Sequence, residues 1–284
     1  MTPSDKSIRP PTIGVFDSGV GGLTVLRALL EKDAGADYLY LGDTARLPYG
    51  SKSQETVARY AVSSAHFLVA QGAEALVIAC ITASALALDA LRAAVDVPVI
   101  GVIETGATAA LQSSGTGDVM VIATAATVES HAYTAACRER GLRAIEKACP
   151  LLVPLVEEGW IDNAVTREVV GIYLDDLLQQ AEAAALEADT LVLGCTHYPL
   201  LREVIAATLH AHAPKIPVRV IDSADVTAEQ VGLRLGIDQR AGADHSREPS
   251  VRFFATDSVT KFRTLGTRFL GRTIDNVTHI DLGG

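Results

Sequence analysis

Two short apolar runs in this chain each end at a cysteine that is followed by polar residues and a helical pattern. Residues 75–84 read Ala-Leu-Val-Ile-Ala-Cys-Ile-Thr-Ala-Ser, and residues 188–201 read Ala-Asp-Thr-Leu-Val-Leu-Gly-Cys-Thr-His-Tyr-Pro-Leu-Leu. Such runs predict buried strands of a parallel sheet. Because open α/β sheets bind ligands at the carboxyl ends of their strands, Cys80 and Cys195 are expected to lie at ligand crevices.

The remaining pattern repeats strands and helices in the same order twice, which indicates an internal duplication. We therefore predict an α/β fold of two pseudo-symmetric, doubly wound lobes with mainly parallel sheets and the active site in the cleft between them. Each lobe would contribute one cysteine from its third strand. The predicted strands cover residues 12–16, 38–41, 75–79 and 97–104 in the first half, and 118–123, 151–156, 190–193 and 216–222 in the second.

The end of the chain adds a strand over residues 251–255 and a helix over about 259–269, which are predicted to pack on the first lobe. The first lobe would then comprise residues 12–104 and 225–284 and carry Asp17 and Cys80. The second lobe would comprise residues 105–224 and carry Cys195 and His197. Residues 1–11 are polar and contain proline, and are expected to form a loose tail.

Composition narrows the class of protein. The net charge of −10 disfavours nucleic acid and anionic membranes as partners, and 49% hydrophobic residues suffice for a packed core. No apolar run approaches the roughly 18 residues that a membrane span needs, and the N-terminus lacks a signal-peptide core, so a cytoplasmic location is expected. The four cysteines are too few and scattered for a disulfide framework. Small lobes around a cleft favour a homodimer.

Three kinds of chemistry suit the two cysteines. A redox pair is disfavoured because the chain lacks Cys-x-x-Cys. A zinc site made of Cys80, Cys195 and His197 is also disfavoured, because one Cys-x-His and one distant Cys are few ligands for zinc. Acid–base chemistry fits better, since a cysteine thiol is readily poised near neutral pH. Two such groups facing across a cleft would remove a proton from one face of a carbon and return one to the other. Either cysteine alone would instead suit a buried, small apolar position.

Each cysteine needs a neighbour that tunes its protonation. His197 follows Cys195 by two residues, and Asp17 ends the first strand, where it would serve Cys80. The hydroxyls of Ser18, Thr82 and Thr196 and nearby backbone N–H groups would bind a carboxylate. Because the chain contains no cofactor motif, a substrate carbanion would have to be stabilised by fixed dipoles.

Four motifs closely resemble glutamate racemases of the aspartate/glutamate racemase superfamily. They are residues 14–23 (Gly-Val-Phe-Asp-Ser-Gly-Val-Gly-Gly-Leu), 42–50 (Gly-Asp-Thr-Ala-Arg-Leu-Pro-Tyr-Gly), 153–159 (Val-Pro-Leu-Val-Glu-Glu-Gly) and 193–200 (Leu-Gly-Cys-Thr-His-Tyr-Pro-Leu). The resemblance spans nearly the whole chain. It implies an isomerase that interconverts L- and D-glutamate without a cofactor or metal and supplies D-glutamate for peptidoglycan, with a small-molecule substrate as its partner.

The resemblance also implies roles for individual residues. Cys80 matches the base that takes the proton from D-glutamate, and Cys195 matches the base that acts on L-glutamate, with Asp17 and His197 as their respective partners. Glu157 matches a further acidic position near the site. The implied substrate-binding positions are Ser18, Pro48, Tyr49, Gly50, Ile81, Thr82, Thr124, Thr127, Glu157 and Thr196.

Three positions depart from the pattern that this family shows. Ile81 stands where the family has a substrate-contacting Asn, Thr105 where it usually has Pro, and His131 where it often has Gly. Losing one hydrogen bond to a charged group costs about 1.5–3 kcal/mol, so Ile81 implies weakened glutamate activity or a preference for a less polar acid. The alternatives are a related decarboxylase or racemase that acts on a substituted malonate, and a catalytically silent binding protein of this fold.

Overall fold

The computed structural model describes residues 9–32, 35–212, 217–237 and 248–283. Most of the predicted tail, Ile216 and residues 238–247 lie outside the described residues. The strands are β1 (Thr12–Asp17), β2 (Asp37–Gly42), β3 (Ala75–Ile78), β4 (Val99–Gly101), β5 (Asp118–Ala123), β6 (Arg143–Ala148), β7 (Thr190–Gly194), β8 (Arg219–Ile221), β9 (Val251–Ala255) and β10 (Val277–His279). The helices are α1 (Leu23–Lys32), α2 (Gln54–Ala70), α3 (Ile81–Leu86), α4 (Leu88–Ala94), α5 (Val102–Ser113), α6 (Ala125–Glu129), α7 (Ala132–Glu139), α8 (Leu152–Glu157), α9 (Ala164–Ala183), α10 (Arg202–His212), α11 (Ala224–Leu235) and α12 (Val259–Leu270).

The strands form two parallel sheets whose common part has the same order. The first sheet runs β10-β9-β2-β1-β3-β4, and the second runs β6-β5-β7-β8. Removing β9 and β10 leaves β2-β1-β3-β4, which matches the second sheet strand for strand, and every pairing is parallel. The predicted α/β class with two pseudo-symmetric lobes is confirmed. The C-terminal strands extend the first sheet at its β2 edge.

The first sheet is buried on both faces, and successive side chains of its strands enter two different core clusters. Along β2, Tyr38 and Tyr40 point into one core cluster, whereas Leu39 and Leu41 point into another that includes residues of α2. A strand covered on both faces has no polar face, which is why these strands appear as continuous apolar runs in the sequence. The cluster that contains Tyr38 and Tyr40 also includes the core of the second lobe, so apolar packing is continuous between lobes. In the described ranges, no helix is long and apolar enough to cross a membrane.

The predicted strand over residues 151–156 is wrong. That segment forms α8, and the second strand of the lobe is β6, which the sequence pattern missed. The sequence of β6, Arg-Ala-Ile-Glu-Lys-Ala, carries charge because it is an edge strand and is partly exposed along its length. The apolar run at 151–156 has instead the spacing of a short helix, which buries Leu152 and Val156 on one side.

The predicted strand over residues 97–104 is also too long. Only Val99–Gly101 is a strand, and α5 begins at Val102, so Glu104 is helical. The predicted helix after Cys80 is interrupted at Ala87, which separates α3 from α4. The predicted lobe boundary between residues 104 and 105 therefore falls within α5, and the division into 12–104 with 225–284 and 105–224 stays a prediction.

Two of the sequence departures have local explanations. His131 has φ 54° and ψ 23°, a left-handed conformation that glycine adopts without steric cost and that fits the glycine often found there in the resembled family. Thr105 lies in the first turns of α5, where its hydroxyl donates to Val102 O at 3.1 Å and pairs with the Thr227 hydroxyl at 2.6 Å. The latter bond joins α5 to α11, and proline could not make it.

Candidate active site

Cys80 follows β3 and lies at the start of α3 because its backbone is held against β1. The Cys80 N–H donates to Phe16 O at 3.2 Å, and the Cys80 sulfur accepts a hydrogen bond from the Ala83 N–H at 3.4 Å. The Cys80 thiol donates to Ser18 Oγ at 3.4 Å. Burial and the negative charge of Asp17 raise the pKa of Cys80 to about 12 despite these hydrogen bonds. At neutral pH Cys80 is therefore a thiol, ready to donate a proton.

Asp17 ends β1 and is buried. Its Oδ2 accepts a hydrogen bond from the Gly19 N–H at 2.9 Å, while Oδ1 has no partner within the described part of the chain. Burial raises the pKa of the Asp17 carboxyl, and the charge of His197 and backbone N–H groups oppose that rise. Asp17 thus lies within electrostatic reach of both Cys80 and His197.

Cys195 follows β7, and His197 lies beside it in a buried position. Tyr198 anchors this turn, because its hydroxyl donates to Ala123 O at 3.1 Å and to Cys149 O at 2.9 Å. The His197 Nε2 lies 3.4 Å from Glu157 Oε1 and its Nδ1 lies 3.5 Å from Thr196 Oγ1. The ring of Phe269, from α12, packs edge-on against His197 with centroids 5.2 Å apart.

His197 is positively charged at neutral pH. Burial alone would lower the pKa of His197, but contacts with Cys195, Glu157 and Asp17 outweigh it and raise the value to about 10. The hydrogen bond to His197 lowers the pKa of Glu157 in turn, even though burial opposes this. A positive charge adjacent to the Cys195 sulfur is what a thiolate base requires.

The lobes meet directly at the two cysteine sites. Gly21, in the turn after β1, packs so closely on the second lobe that a Cβ there would lie 2.2 Å from Thr196 Oγ1 and 2.8 Å from His197 Nδ1. Gly50 approaches Thr124 in the same way, since a Cβ there would lie 2.9 Å from Thr124 Cβ. Both contacts need glycine for close approach.

Three threonine hydroxyls join the lobes beside Cys80. Thr82 Oγ1, from the first lobe, lies 3.0 Å from Thr124 Oγ1 and 3.3 Å from Thr127 Oγ1, and the latter two are 2.9 Å apart. Thr124 also caps α6 by accepting a hydrogen bond from the Thr127 N–H. Each hydroxyl can both donate and accept, so the cluster can reorient to hold a carboxylate.

The other predicted site residues differ in their exposure and in their hydrogen-bond partners. Pro48 is exposed, and Tyr49 is buried with its hydroxyl donated to Asp43, so only the Tyr49 backbone remains for a ligand. Ile81 is 4% exposed and its side chain joins the apolar core directly after Cys80. In the described residues, no three His, Cys, Asp or Glu side chains are arranged to hold a metal ion.

Sequence reasoning missed three residues that shape this site. Gly21 and Phe269 contact His197 directly, and Asp43 fixes Tyr49. Gly21 and Asp43 lie in the motifs at residues 14–23 and 42–50, in which other residues were predicted to form the site. Phe269 lies far along the chain in α12, and no sequence signal connects it to the site.

Comparison with known proteins decides the family. A family model described as Asp/Glu/Hydantoin racemase matches residues 16–231, which is most of the chain. The chain belongs to this racemase family. Within it, the chain is 52% identical to the glutamate racemase of Koribacter versatilis over 96% of this chain and 98% of the relative, and 43% identical to that of Geobacter metallireducens over 95% and 96%.

Solved structures of the racemase family have the same fold. The glutamate racemase of Francisella tularensis, solved in complex with D-glutamate, gives a TM-score of 0.84 at 33% identity and covers 97% of this chain and 99% of its own. An Aquifex pyrophilus glutamate racemase gives 0.74 at 40% identity over 94% and 98%. The resemblance stated from the sequence motifs is therefore confirmed, as is the predicted fold class.

Proposed function

We propose that this protein interconverts L- and D-glutamate without a cofactor and supplies D-glutamate for peptidoglycan synthesis. One observation carries the proposal: two buried cysteines follow equivalent strands, β3 and β7, and each interacts with an ionisable group, Asp17 for Cys80 and His197 for Cys195. The similar proteins of Koribacter and Geobacter are glutamate racemases, and one structural relative was solved with D-glutamate. Both findings support glutamate as the substrate.

Different electrostatic surroundings give the two cysteines different starting roles. At neutral pH, Cys80 holds its proton, while Cys195 lies beside the positively charged His197. This arrangement suits Cys195 to remove the α-proton of L-glutamate, with Cys80 delivering a proton to the opposite face. The sulfur of Cys195 ends protonated, the sulfur of Cys80 ends as a thiolate, and D-glutamate is released.

The reverse reaction starts from the opposite protonation state. After D-glutamate forms, the thiolate of Cys80 accepts hydrogen bonds from the Ala83 N–H and from the hydroxyl of Ser18, once that hydroxyl turns to donate. Asp17 lies close enough that its charge opposes this thiolate, which makes the Cys80 thiolate a stronger base toward the α-proton of D-glutamate. We propose that Asp17 acts on Cys80 in this way and that the positive charge of His197 acts on Cys195.

The substrate carboxylates would be held by hydroxyl groups from both lobes. Thr82, Thr124 and Thr127 form one group beside Cys80, and Thr196 lies beside Cys195. Holding one substrate by both lobes fixes its α-carbon between the two sulfurs, which is the geometry that inversion requires. Such fixed dipoles would also stabilise the negative charge that develops at the α-carbon.

Ile81 is the position that tests how well the pocket suits glutamate. Its buried, apolar side chain follows Cys80 directly and offers no hydrogen bond. We expect Ile81→Asn to raise kcat/KM for glutamate by roughly 10-fold or more, in keeping with about 1.5–3 kcal/mol for a hydrogen bond to a charged group.

The experiment is incubation with L- and, separately, D-glutamate in deuterium oxide, followed by NMR of the α-proton and by optical rotation. Exchange with inversion from both enantiomers is the expected result, and Cys80→Ser and Cys195→Ser variants should each abolish inversion. No exchange with either enantiomer, in the wild type and in Ile81→Asn, would refute glutamate racemisation. The homodimer and the cytoplasmic location stay predictions from sequence.

A further inference from the structure

We propose that Asp43 is a positioning residue of the Cys80 half of the site, because its buried carboxylate fixes the 44–50 segment against the C-terminal strand β9. The inference rests on the proposed function, since its readout is glutamate binding. Asp43 follows β2, as Asp17 follows β1, and its N–H donates to Asp17 O at 3.0 Å. It is fully buried, yet it takes no part in the acid–base chemistry derived above.

The carboxylate of Asp43 accepts hydrogen bonds from three side chains. The Arg46 Nε donates to both oxygens, at 2.9 and 2.7 Å, and the Tyr49 hydroxyl donates to Oδ2 at 2.5 Å. The Thr256 hydroxyl donates to Oδ1 at 2.9 Å. The Arg46 guanidinium also stacks on the Tyr60 ring, 4.5 Å from its centroid. A buried charge with this many donors has a single favoured arrangement.

Thr256 ties this arrangement to the end of β9. Its hydroxyl accepts a hydrogen bond from the Ala45 N–H at 2.9 Å while donating to Asp43, and its N–H donates to Gly42 O at 3.2 Å. The next residue, Asp257, donates its N–H to Thr44 Oγ1 at 2.9 Å. The segment after β2 is thus held at its start by backbone bonds and at Arg46 and Tyr49 by the Asp43 carboxylate.

The fixed segment reaches the reaction site at its other end. The turn Tyr49–Ser51 contacts both α3, which begins after Cys80, and α6, which Thr124 caps. Gly50 lies directly against Thr124, close enough that a Cβ would be 2.9 Å from Thr124 Cβ. Any shift of this turn therefore moves the Thr82, Thr124 and Thr127 hydroxyls that would hold substrate.

Substitution at Asp43 should act on substrate binding more than on the chemical step. In Asp43→Asn the side chain keeps its size, but Arg46 loses its anionic partner and the turn is no longer fixed. We expect KM for both glutamate enantiomers to rise about tenfold, with a smaller fall in kcat, which is the pattern for lost binding energy. Thr256→Val should raise KM about fivefold, whereas Thr256→Ser, which keeps the hydroxyl, should stay within about twofold of wild type.

Asp118→Asn is the matched control. Asp118 is also a buried aspartate paired with an arginine, Arg143, but it lies at the amino end of β5, opposite the ligand edge. It should lower the melting temperature without changing KM by more than about twofold. Thr256→Val tests the proposal even if Asp43→Asn does not fold.

Two results would overturn the inference in distinguishable ways. If the wild type racemises glutamate but Thr256→Val and Thr256→Ser share the same KM, Asp43 has only a structural role. If the wild type does not racemise glutamate and does not bind it in calorimetry, the proposed function is refuted, and this inference is refuted with it. A rise in KM for Asp43→Asn and Thr256→Val, absent from Asp118→Asn and Thr256→Ser, supports the proposal.

Discussion

Gly21→Ala should disable the site by adding a single methyl group between the lobes. The backbone of Gly21 does not have positive φ, so alanine brings no backbone strain and the effect is steric. The new Cβ would lie 2.2 Å from Thr196 Oγ1, about 1.2 Å inside ordinary contact at 3.4 Å. Turning the Thr196 hydroxyl away does not suffice, because Thr196 Cβ at 2.9 Å and His197 Nδ1 at 2.8 Å remain too close.

The lobes must therefore move apart by several tenths of an ångström or more, or His197 must leave its place beside Cys195. Misplacing a reacting group by about 1 Å can cost about 100-fold in rate, and overpacking costs about 1–3 kcal/mol of stability. We expect kcat/KM for both glutamate enantiomers to fall about 100-fold, as measured by α-proton exchange and optical rotation, in a protein that remains folded by calorimetry.

Gly171→Ala is the control for this substitution. Gly171 lies within α9, and a Cβ there meets nothing within 4 Å. Alanine should stabilise that helix by about 0.5–1 kcal/mol and leave activity unchanged. If Gly21→Ala keeps kcat/KM within about threefold of wild type while Gly171→Ala behaves as expected, the close packing of the lobes does not position His197, and the reasoning fails.

Two further predictions concern His197 and Thr82. The pKa of His197 is raised to about 10 in the folded protein, above 6.5 unfolded, so its stabilising contribution is complete below pH 6.5 and is lost as pH rises to 10. The melting temperature of wild type relative to His197→Gln should therefore fall progressively over this pH window, and a constant difference would contradict the assignment. Thr82→Val removes one hydroxyl but leaves Thr124 paired with Thr127, so KM for glutamate should rise about tenfold with little change in stability. The control variant Thr208→Val, on the helix surface, should change neither KM nor stability. An equal effect of both variants on KM would refute a substrate role for Thr82.

The sequence revealed the architecture where burial left an unambiguous pattern. Strands β1, β3, β5 and β7 are buried along their whole length, so each appears as an apolar run with polar residues at its carboxyl end. The prediction from sequence failed where an element's position in the sheet changed that apolar pattern. The edge strand β6 carries charges and was missed, and the short helix α8 is apolar enough to resemble a strand and was predicted as one.

The candidate reacting groups could be proposed from the sequence because strand ends in a parallel sheet converge on one edge. Cys80, Cys195, Asp17 and His197 were predicted from such positions and from the family resemblance, and Asp17 lies within electrostatic reach of Cys80 and His197. The roles of these residues stay proposals until the exchange experiment is done.

What the sequence determined by itself is the buried strands, the duplication and the chemistry that their carboxyl ends carry, because these follow from local apolar patterns and residue type. Only the tertiary structure decided how the lobes meet. The contact of Gly21 with His197, the packing of Phe269 on the same ring and the Asp43–Thr256 bond join residues far apart in the chain. Such contacts depend on how whole elements pack, and no local periodicity encodes that arrangement.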